Sequence, residues 1–336
     1  MKTLVCDSPG NFKYIDTELP SLKPGYSIIR IKRVGVCGTD LHAFDGTQPF
    51  FNYPRVLGHE LAAEFVAGDA PGFQEGELLT VLPYFNCGSC VACRSNKPNC
   101  CSAIKVCGVH IDGGMTEFLL VPSSSLVKGE GLSIDELALI EPLAIGAHAI
   151  SRADVQSTDT VLIVGAGPIG IGIVEFALLR GAKVILMDTN KDRLNFCKAY
   201  FKNIDLVNPL EVDQVNRLRE LTDGDMPSVV MDATGNLKAI NASFAYMAHG
   251  ARYVLVGLQL NDISFSHPEF HKREGTLMSS RNATREDFAL VIQAVKEGKV
   301  APRKMITHRL AFDAVAERFS SLTDPDQKTI KALIEL

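Results

Sequence analysis

The chain has no long run of basic residues, and its formal net charge at pH 7 is −5. Nucleic acids and anionic membrane surfaces are bound by clustered Lys and Arg, so neither is expected as a partner. No apolar run reaches the roughly 18 residues of a membrane-spanning helix. The opening MKTLVCDSPG lacks the pattern of a secretory signal. We therefore expect a soluble, cytoplasmic protein.

The sequence also lacks internal repeats and low-complexity tracts. Its length favours about two domains, and hydrophobic residues make up 46% of the 336 residues, enough for well-packed cores. Cysteine, by contrast, is plentiful, with nine residues. An odd, unevenly spread set indicates thiols and metal ligands rather than a disulfide framework. Cys6, Cys107 and Cys197 are interpreted as small buried hydrophobes.

Five of the nine cysteines lie in the segment NCGSCVACRSNKPNCC. Its spacing C-x2-C-x2-C-x7-C predicts a closed structural zinc site, because such a loop can wrap four thiolates around one ion. The ligands would be Cys87, Cys90, Cys93 and Cys101, and Cys100 competes for the fourth position. An iron–sulfur site and idle thiols are the alternatives.

A second metal site is indicated by GVCGTDLHAFDGTQPFFNYPRVLGHE at residues 35–60. Cys37 and His59 would supply two ligands, and Glu60 or the later Glu141 the third. This mixed ligand set suits Zn²⁺ with an open position for water or substrate. The alternative is a buried cysteine in a strand and a histidine on a turn.

Glu141 lies in a predicted helix over residues 135–152 that is otherwise mainly apolar. A carboxylate on an apolar face is costly to bury unless it is paired or bound to a metal. Pro142 follows it and predicts a bend that aims the carboxylate. The alternative is that Glu141 faces solvent.

The strand patterns predict an α/β chain with two kinds of domain. Residues 1–34 and 54–85 contain short alternating strands with many Gly and Pro, which indicates a small, irregular β-barrel. Residues 108–121 return to strand character. From Thr160 onward, buried strands alternate with helices, which is typical of a doubly wound parallel sheet. A helix is predicted over 285–299, after which the chain is expected to rejoin the first domain.

A dinucleotide site is predicted from TVLIVGAGPIGIGIVEFALLRGAKVILMDTN. Gly165, Gly167 and Gly170 form G-x-G-x-x-G between a strand and a helix, the context in which this motif binds pyrophosphate at the helix N-terminus. Asp188 ends the next strand. A carboxylate there accepts hydrogen bonds from the ribose hydroxyls and repels a 2′-phosphate, so NAD is favoured over NADP.

Two further strand patterns, SVVMDATG and ARYVLVGLQ, belong to the same parallel sheet. Their C-terminal ends lie at the edge where ligands dock in such sheets. The cofactor-binding candidates at this edge are Thr234, Val256, Gly257 and Leu258.

In this order, GVCGTDLH, VLGHE, the four-cysteine segment, VGAGPIGIG and MDTN resemble the zinc-dependent medium-chain alcohol dehydrogenase family, over essentially the whole chain. The resemblance implies a GroES-like zinc-binding catalytic domain, residues 1–148 and 283–336, and a Rossmann NAD-binding domain, residues 149–282. It further implies two zinc ions per chain, one catalytic and one structural, and a homodimer or homotetramer. The segments most similar to the polyol and sugar-acid branch are 48–60, 108–114, 267–274 and 279–284.

The resemblance also implies roles for single residues. Cys37, His59 and Glu141 look like ligands of the catalytic zinc, and Glu60 matches a position that binds directly or exchanges with water. The spacing in the family favours Cys101 over Cys100. The remaining matches are Asp40 as the carboxylate that orients His59, Thr39 as the hydroxyl that takes the substrate proton, His42 as the end of that relay, and Pro168, Ile169, Asp188 and Arg193 at the cofactor.

The expected activity is oxidation of a secondary hydroxyl of a sugar acid, an L-galactonate-like aldonate at C5, by hydride transfer to NAD⁺. The substrate carboxylate requires cationic or amide donors. The candidates are Arg281, Asn282 and His110, with His271 and Lys272 as further ones, although Lys272 and Arg273 alternatively form a solvated surface pair. Other substrates would be a polyol such as sorbitol, L-idonate or a sugar-alcohol phosphate. A catalytically weak sensor of NAD and a sugar acid is a further alternative. A zinc-free quinone or enoyl reductase is disfavoured, because it would lack the Cys37 and His59 ligands.

Overall fold

The computed structural model describes residues 1–49 and 51–336, which form two compact units. The first unit contains Met1–Ala144 and Asn282–Leu336, and the second contains Ile145–Arg281. The chain thus passes from the first unit to the second after Ala144, whereas the sequence suggested residue 148 as the end of this part of the first domain. Phe50, part of the segment 48–60 singled out above, lies outside the described residues.

Within residues 1–49 and 51–336, the structure contains 17 strands and 11 α-helices. The strands are β1 (Lys2–Ser8), β2 (Asn11–Asp16), β3 (Tyr26–Val36), β4 (Glu60–Gly68), β5 (Leu78–Val81), β6 (Tyr84–Phe85), β7 (Lys105–Val106), β8 (Phe118–Pro122), β9 (Leu126–Lys128), β10 (Thr160–Val164), β11 (Lys183–Met187), β12 (Asp205–Val207), β13 (Val229–Asp232), β14 (Arg252–Leu255), β15 (Thr276–Ser279), β16 (Ile306–Ala311) and β17 (Lys331–Glu335). The helices are α1 (Gly38–Phe44), α2 (Val91–Arg94), α3 (Ile134–Leu137), α4 (Ile140–Arg152), α5 (Pro168–Leu179), α6 (Lys191–Tyr200), α7 (Gln214–Leu221), α8 (Leu237–Ser243), α9 (His267–Lys272), α10 (Arg285–Lys296) and α11 (Val315–Arg318). Short 3-10 helices lie at Pro98–Cys100, Ser123–Ser125, Phe244–Tyr246, Pro302–Met305, Phe312–Ala314, Phe319–Thr323 and Pro325–Gln327.

The first unit is built on a seven-stranded mixed sheet with the order β16-β17-β3-β4-β5-β9, in which β8 also pairs with β3. β16 and β17 are parallel, whereas β3 is antiparallel to β17, β4 and β8. The register between β3 and β4 shifts at two points, between Ile28 and Ile29 and between Ile31 and Arg33. Such irregularities bend and twist a strand pair. The curved sheet corresponds to the irregular barrel expected from the sequence.

A cluster of aromatic rings in the core of this unit holds α1 in place. Phe12, Phe44 and Phe319 come from distant segments, and their ring centroids lie 5.0–5.3 Å apart. Each such pair contributes roughly 0.5–1.5 kcal/mol beyond the burial of apolar area. Because Phe44 is the last residue of α1, this packing also fixes the helix on which Thr39 and Asp40 lie.

The strand expected over residues 108–121 forms only in part. Residues 108–116 are turns and isolated bridges, and the strand β8 begins at Phe118. Their backbone is bonded to the loop before β4 instead, since the N–H groups of Gly113, Gly114 and Met115 donate to the carbonyls of residues 56, 58 and 57. The glycine-rich segment therefore supports the loop that carries His59.

The helix expected over residues 135–152 is two helices, α3 and α4. The helix is interrupted at residues 138 and 139, and α4 begins at Ile140. Pro142 is therefore the third residue of α4 rather than the site of a bend. Proline is tolerated in a first helical turn because the N–H groups there have no intrahelical acceptor. The prediction that Pro142 aims Glu141 by bending the helix is therefore wrong.

The second unit contains a six-stranded, all-parallel sheet with the order β12-β11-β10-β13-β14-β15. This order is that of the doubly wound sheet predicted from the sequence. The core on the sheet includes Leu162, Ile185 and Val230 from three neighbouring strands. Phe244 stacks on Tyr253 with ring centroids 4.3 Å apart.

None of the helices within residues 1–49 and 51–336 has both the length and the apolar character needed to cross a membrane.

Four charged side chains fasten α3 to the sheet of the first unit. Asp135 accepts hydrogen bonds from Arg309 at 2.5 Å and from Arg33 at 3.1 Å, and Glu335 accepts one from Arg309 at 2.6 Å. The Asp135 side chain is only 14% exposed. The hydrogen bonds from Arg309 lower the pKa of Asp135 below its ordinary value.

We expect Asp135→Asn to lower the free energy of unfolding by about 1 kcal/mol at pH 7, because it removes a partly buried charge-assisted pair. The native pKa of Asp135 lies below the unfolded value of about 3.9. Its stabilising contribution is therefore complete above that value and is lost as the pH falls through the native pKa.

Thermal unfolding followed by circular dichroism checks this expectation. The wild-type protein and Asp135→Asn should differ in midpoint at pH 7 and converge in acid. Asp313→Asn is the matched control, because Asp313 pairs with Lys2 at the surface and is 75% exposed. Equal losses of stability in the two variants would contradict the role of the network.

Candidate active site

Cys37 is positioned by the first turn of α1. It is the N-cap residue of this helix, and its N–H donates to Asp40 Oδ2 at 2.9 Å. The other oxygen of the same carboxylate accepts the Gly58 N–H at 3.1 Å. Asp40 is 1% exposed. One buried carboxylate thus joins the two loops that carry Cys37 and His59.

His59 is buried between Cys37 and Asp40. Its Nδ1 lies 4.0 Å from Asp40 Oδ1 and has no hydrogen-bond partner in the described part of the chain. Burial by itself lowers the pKa of His59, but Cys37, Asp40 and Glu141 outweigh it and raise this pKa well above the ordinary value. An imidazole with a thiol on one side and a carboxylate on the other has the surroundings of a metal ligand.

Glu60 is held against the first sheet by a buried lysine. Lys331 Nζ donates to Glu60 Oε1 at 2.5 Å and to the Val36 carbonyl at 3.0 Å. Both charged side chains are 1% exposed. Gly35, which faces Glu60 in the β3–β4 pair, leaves the necessary space, because a Cβ there would lie 2.0 Å from Glu60 Oε2. Among the described residues, Glu60 Oε2 has no hydrogen-bond partner although it is buried.

The ligand atoms of Cys37, His59 and Glu60 all lie within 4.8 Å of one another. Buried polar atoms without partners are rare in proteins, and two of them, on His59 and Glu60, belong to this cluster. A thiol, an imidazole and a carboxylate are the ligand types of catalytic zinc sites, which keep a further position open. The residues present therefore fit Zn²⁺.

Glu141 interacts with this cluster but is not one of its three members. The Tyr84 hydroxyl donates a hydrogen bond to Glu141 Oε1. Burial raises the pKa of Glu141 to about 7, although His59 opposes the shift. Burial and the neighbouring Glu141 raise the pKa of Tyr84 well above 10, so its hydroxyl stays protonated. The sequence offered Glu60 and Glu141 as alternatives, and the structure places Glu60 with Cys37 and His59.

Two further predicted catalytic residues lie on α1. Thr39 is partly buried, and His42, one turn further on, is exposed. His42 Nδ1 lies 3.0 Å from the Thr47 hydroxyl. The helix therefore places a hydroxyl two residues from the half-buried Cys37 and an imidazole at the protein surface.

The thiols of Cys87, Cys90, Cys93 and Cys101 lie within 4.8 Å of one another, whereas Cys100 is exposed and outside this group. The Cys87 sulfur accepts hydrogen bonds from the N–H groups of Ser89 and Cys90 at 3.5 and 3.4 Å. Hydrogen bonds from Ser89 lower the pKa of Cys87 to about 7, and those from the backbone of Cys93 and Ser102 lower the pKa of Cys90 to about 5. Lowered values favour thiolates, the form that binds metals.

The glycine loop of the second unit has the geometry that the motif predicts. Gly165 has a φ of +110°, a conformation that favours glycine. A Cβ on Gly170 would lie 1.8 Å from the Gly165 carbonyl oxygen, so only glycine allows this approach of helix to strand. Gly167 is the N-cap of α5, and Pro168 and Ile169 form its first turn. The free N–H groups of this helix end suit a phosphate.

Asp188 lies beside this loop. Its Oδ2 accepts the Ala166 N–H at 2.6 Å, and its Oδ1 accepts the Asn190 N–H at 2.7 Å. Arg193, on α6, places Nη1 3.9 Å from where a Cβ on Gly167 would lie. A carboxylate and a guanidinium therefore flank the glycine loop.

The other cofactor candidates surround the C-terminal ends of β13 and β14. Asp232 is buried there, its Oδ1 accepts the Thr234 hydroxyl at 2.5 Å, and its carbonyl accepts the N–H groups of Val256 and Gly257. Leu258, the next residue, is 63% exposed. Asp232 thus ties together the two strand ends on which these candidates lie.

The substrate-binding candidates differ in what their side chains contact. The Asn282 amide donates to the Asn99 carbonyl at 3.1 Å, in the four-cysteine segment. His110 Nδ1 accepts the Val106 N–H at 3.0 Å, which leaves the proton on Nε2. Arg281 is exposed.

The candidates on and after α9 form surface interactions. Lys272 and Arg273 both pair with Glu269, at 2.8 Å. The His271 ring packs edge-on against His267 with a centroid distance of 5.8 Å. Lys272 and Arg273 therefore share Glu269 as a partner, but the Arg273 side chain is only 16% exposed and also donates to the Met247 carbonyl, so it is not the solvated residue that the alternative supposed.

Two site residues escaped sequence reasoning, Tyr84 and Lys331. Lys331 begins the strand sequence KALIE, in which a lysine ordinarily faces solvent. Tyr84 lies in a short apolar stretch before the first cysteine of the loop. Neither has a local signal, because each reaches the site through pairing between distant strands.

Comparison with known families identifies the class of protein that this fold and these sites define. Residues 23–131 match the alcohol dehydrogenase GroES-like domain, and residues 168–297 match the zinc-binding dehydrogenase domain. Together with the full-length similarity described next, these matches show that the chain belongs to the zinc-type medium-chain alcohol dehydrogenase family. The resemblance and the α/β fold expected from the sequence, with GroES-like and Rossmann domains, are confirmed.

Particular relatives extend over the whole chain. It is 41% identical over 336 residues to the L-galactonate-5-dehydrogenase of Escherichia coli K12, covering 99% of this chain and 98% of the relative. It is 32% identical to the starvation-sensing protein RspB of the same strain, covering 98% and 97%. A crystal structure of RspB from E. coli CFT073 complexed with the cofactor NADH superposes with a TM-score of 0.92 at 29% identity, covering 100% of this chain and 99% of that one.

The two neighbouring cysteines allow a test of the four-thiol cluster. We expect Cys101→Ser to lose about one zinc ion per chain and several degrees of thermal stability, because a structural site needs all four ligands. Cys100→Ser, the matched control, should keep both. Metal analysis by mass spectrometry and thermal unfolding measure the two quantities. Loss of zinc from Cys100→Ser alone would contradict the assignment.

Proposed function

We propose that this chain oxidises a secondary hydroxyl of a sugar acid, an L-galactonate-like aldonate at C5, by hydride transfer to NAD⁺. The cluster of Cys37, His59 and Glu60 carries the proposal, because buried ligand atoms of His59 and Glu60 have no hydrogen-bond partner among the residues that the structure describes. The sugar acid as substrate is supported by the 41% identity to a relative named L-galactonate-5-dehydrogenase.

Zinc bound in this cluster would act as a Lewis acid that lowers the pKa of the substrate hydroxyl. Cys37, His59 and Glu60 would hold it, with Glu141 as the alternative carboxylate. Asp40 holds together the two loops that carry Cys37 and His59, because its carboxylate accepts a backbone N–H from each loop. A second, structural zinc would be held by Cys87, Cys90, Cys93 and Cys101.

The proton released by the substrate hydroxyl needs a path to solvent. Thr39 is the proposed first acceptor, because it lies two residues after Cys37 on α1. His42 is the proposed exit, since its imidazole is exposed at the protein surface. Such a relay separates the buried oxygen from bulk water while it removes the proton.

The preference for NAD over NADP rests on Asp188. Both carboxylate oxygens are oriented by backbone N–H groups, and each retains a lone pair for a ribose hydroxyl. A 2′-phosphate at the same place would meet a negative charge. Gly165, Gly167 and Gly170 would bind the pyrophosphate, and Arg193 lies close enough to contribute a positive charge.

The donors that we propose for the substrate carboxylate are His110, Arg281 and Asn282. In His110, Nδ1 accepts the backbone N–H of Val106, so the proton of the neutral ring lies on Nε2. The Asn282 amide is already bonded to the four-cysteine segment. The hydrogen bond of Asn282 and the ion pairs of Lys272 and Arg273 with Glu269 engage groups that could otherwise bind a substrate carboxylate. These contacts support a second candidate function. That candidate is oxidation of a neutral polyol such as sorbitol, for which fewer cationic donors are required.

We further propose a homodimer or homotetramer that acts in the cytoplasm. The assembly follows the family resemblance. A reducing compartment would keep the thiolate ligands from oxidation, which is required for zinc to remain bound.

A substrate screen tests the proposed reaction. NADH formation should be fastest with L-galactonate among aldonates, including L-idonate, and slower with sorbitol and sugar-alcohol phosphates. His59→Ala is the control, and it should abolish turnover while thermal unfolding shows a folded chain. Activity on neutral polyols alone would replace the aldonate proposal by the polyol one. Binding of NADH and a sugar acid without turnover would favour a sensor.

The cofactor preference is tested separately with Asp188→Ser. Loss of the carboxylate removes two hydrogen bonds of about 1 kcal/mol each to the ribose and the repulsion of a 2′-phosphate. We expect the ratio of kcat/KM for NADP⁺ to that for NAD⁺ to rise by at least about tenfold. Asp225→Ser, at an exposed position of the same unit, should leave the ratio unchanged. An unchanged ratio in Asp188→Ser would remove Asp188 from cofactor selection.

A further inference from the structure

Two buried carboxylates approach the proposed zinc site, and each is held by a different partner. Glu60 is bonded to Lys331, which occupies Oε1 and leaves Oε2 without a partner within the described residues. Glu141 accepts the hydroxyl of Tyr84 through Oε1. The sequence treats these carboxylates as equivalent candidates, but their anchors differ in charge and in the element that carries them.

We infer that Tyr84 is a positioning residue that holds Glu141 outside the zinc coordination sphere, so that Glu60 is the carboxylate ligand of the resting site. The inference rests on the proposed function, because it requires zinc at Cys37 and His59. It extends that function by naming the residue that decides between the two carboxylates.

The position of Glu60 follows from the sheet. Gly35 and Glu60 are paired residues on β3 and β4, and Lys331 lies on β17, which pairs with the same end of β3. Glu60 Oε2 lies over Gly35 and Oε1 accepts the hydrogen bond from Lys331, and a carboxylate oxygen of Glu60 lies within 4.8 Å of the ligand atoms of Cys37 and His59. Three hydrogen-bonded strands therefore fix the orientation of Glu60.

The position of Glu141 depends on one hydroxyl. Tyr84 lies on β6, which pairs only with β7 among the described strands, so its anchor is independent of the β3–β4–β17 arrangement. A buried carboxylate that loses its donor is destabilised by roughly 1–3 kcal/mol or more. Without the hydroxyl of Tyr84, Glu141 would need another partner beside His59 and Lys331, whose charges already act on it, and a metal ion bound at Cys37 and His59 would supply one.

Cobalt(II) in place of the catalytic zinc tests the inference, because its visible d–d bands report the ligands and their number. The spectrum of His59→Ala supplies the background from the four-cysteine site, which this variant retains. Wild-type protein should show a second cobalt ion and additional bands. Tyr84→Phe should change those bands, as Glu141 enters the coordination sphere.

Carboxamide variants identify the ligand in each background. Glu60→Gln should change the wild-type spectrum and weaken cobalt binding by roughly tenfold or more, whereas Glu141→Gln should leave the spectrum unchanged. In the Tyr84→Phe background, Glu141→Gln should restore the wild-type spectrum. Tyr200→Phe is the matched control, because it removes a similar tyrosine–glutamate hydrogen bond, to Glu175 at 2.8 Å, in the second unit.

Three results would overturn the inference: an unchanged spectrum in Tyr84→Phe, a change of equal size in Tyr200→Phe, or a larger effect of Glu141→Gln than of Glu60→Gln in otherwise wild-type protein. Failure of the proposed function has a different signature. In that case the wild-type protein would bind no more cobalt than His59→Ala.

Discussion

The carboxylate of Asp40 is the constraint on which the candidate site depends. It accepts the backbone N–H groups of Cys37 and Gly58 from within the core, so both of its oxygens are used to join two loops that are distant in sequence. Hydrogen bonds to a buried carboxylate are stronger than neutral ones, and leaving such a group unpaired is costly. The distance between Cys37 and His59 is therefore determined by backbone contacts rather than by the metal alone.

The charges around this constraint explain why a divalent cation fits. Asp40, Glu60 and Glu141 are three buried carboxylates, and Lys331 is the buried ammonium group that accompanies them. Like charges at short range and burial both disfavour ionisation of carboxylates. The raised pKa of Glu141 expresses this imbalance within the chain itself. A cation at Cys37 and His59 would relieve it and would satisfy the free oxygen of Glu60.

The features that the sequence predicts depend on residues close together in the chain, whereas the features that it misses depend on residues far apart. The G-x-G-x-x-G loop and the four-cysteine spacing place their groups within a few residues, so short-range geometry suffices to predict them. The choice between Glu60 and Glu141 depends instead on Lys331 and Tyr84, which strand pairing brings in from elsewhere. Similarly, the interruption between α3 and α4, before Ile140, is not revealed by any periodicity in the helix sequence.

The four-cysteine loop acquires a role in the same geometry. It runs between β6 and β7, so the segment from Asn86 to Ile104 is closed at both ends by the pairing of Tyr84 with Val106. A zinc ion held by the four thiols of this loop would restrict the relative motion of the two strands. Tyr84 then donates to Glu141, and the backbone of Val106 donates to His110. Zinc in this loop would therefore help to hold Glu141 and His110 in place without contributing a ligand to the Cys37–His59–Glu60 cluster.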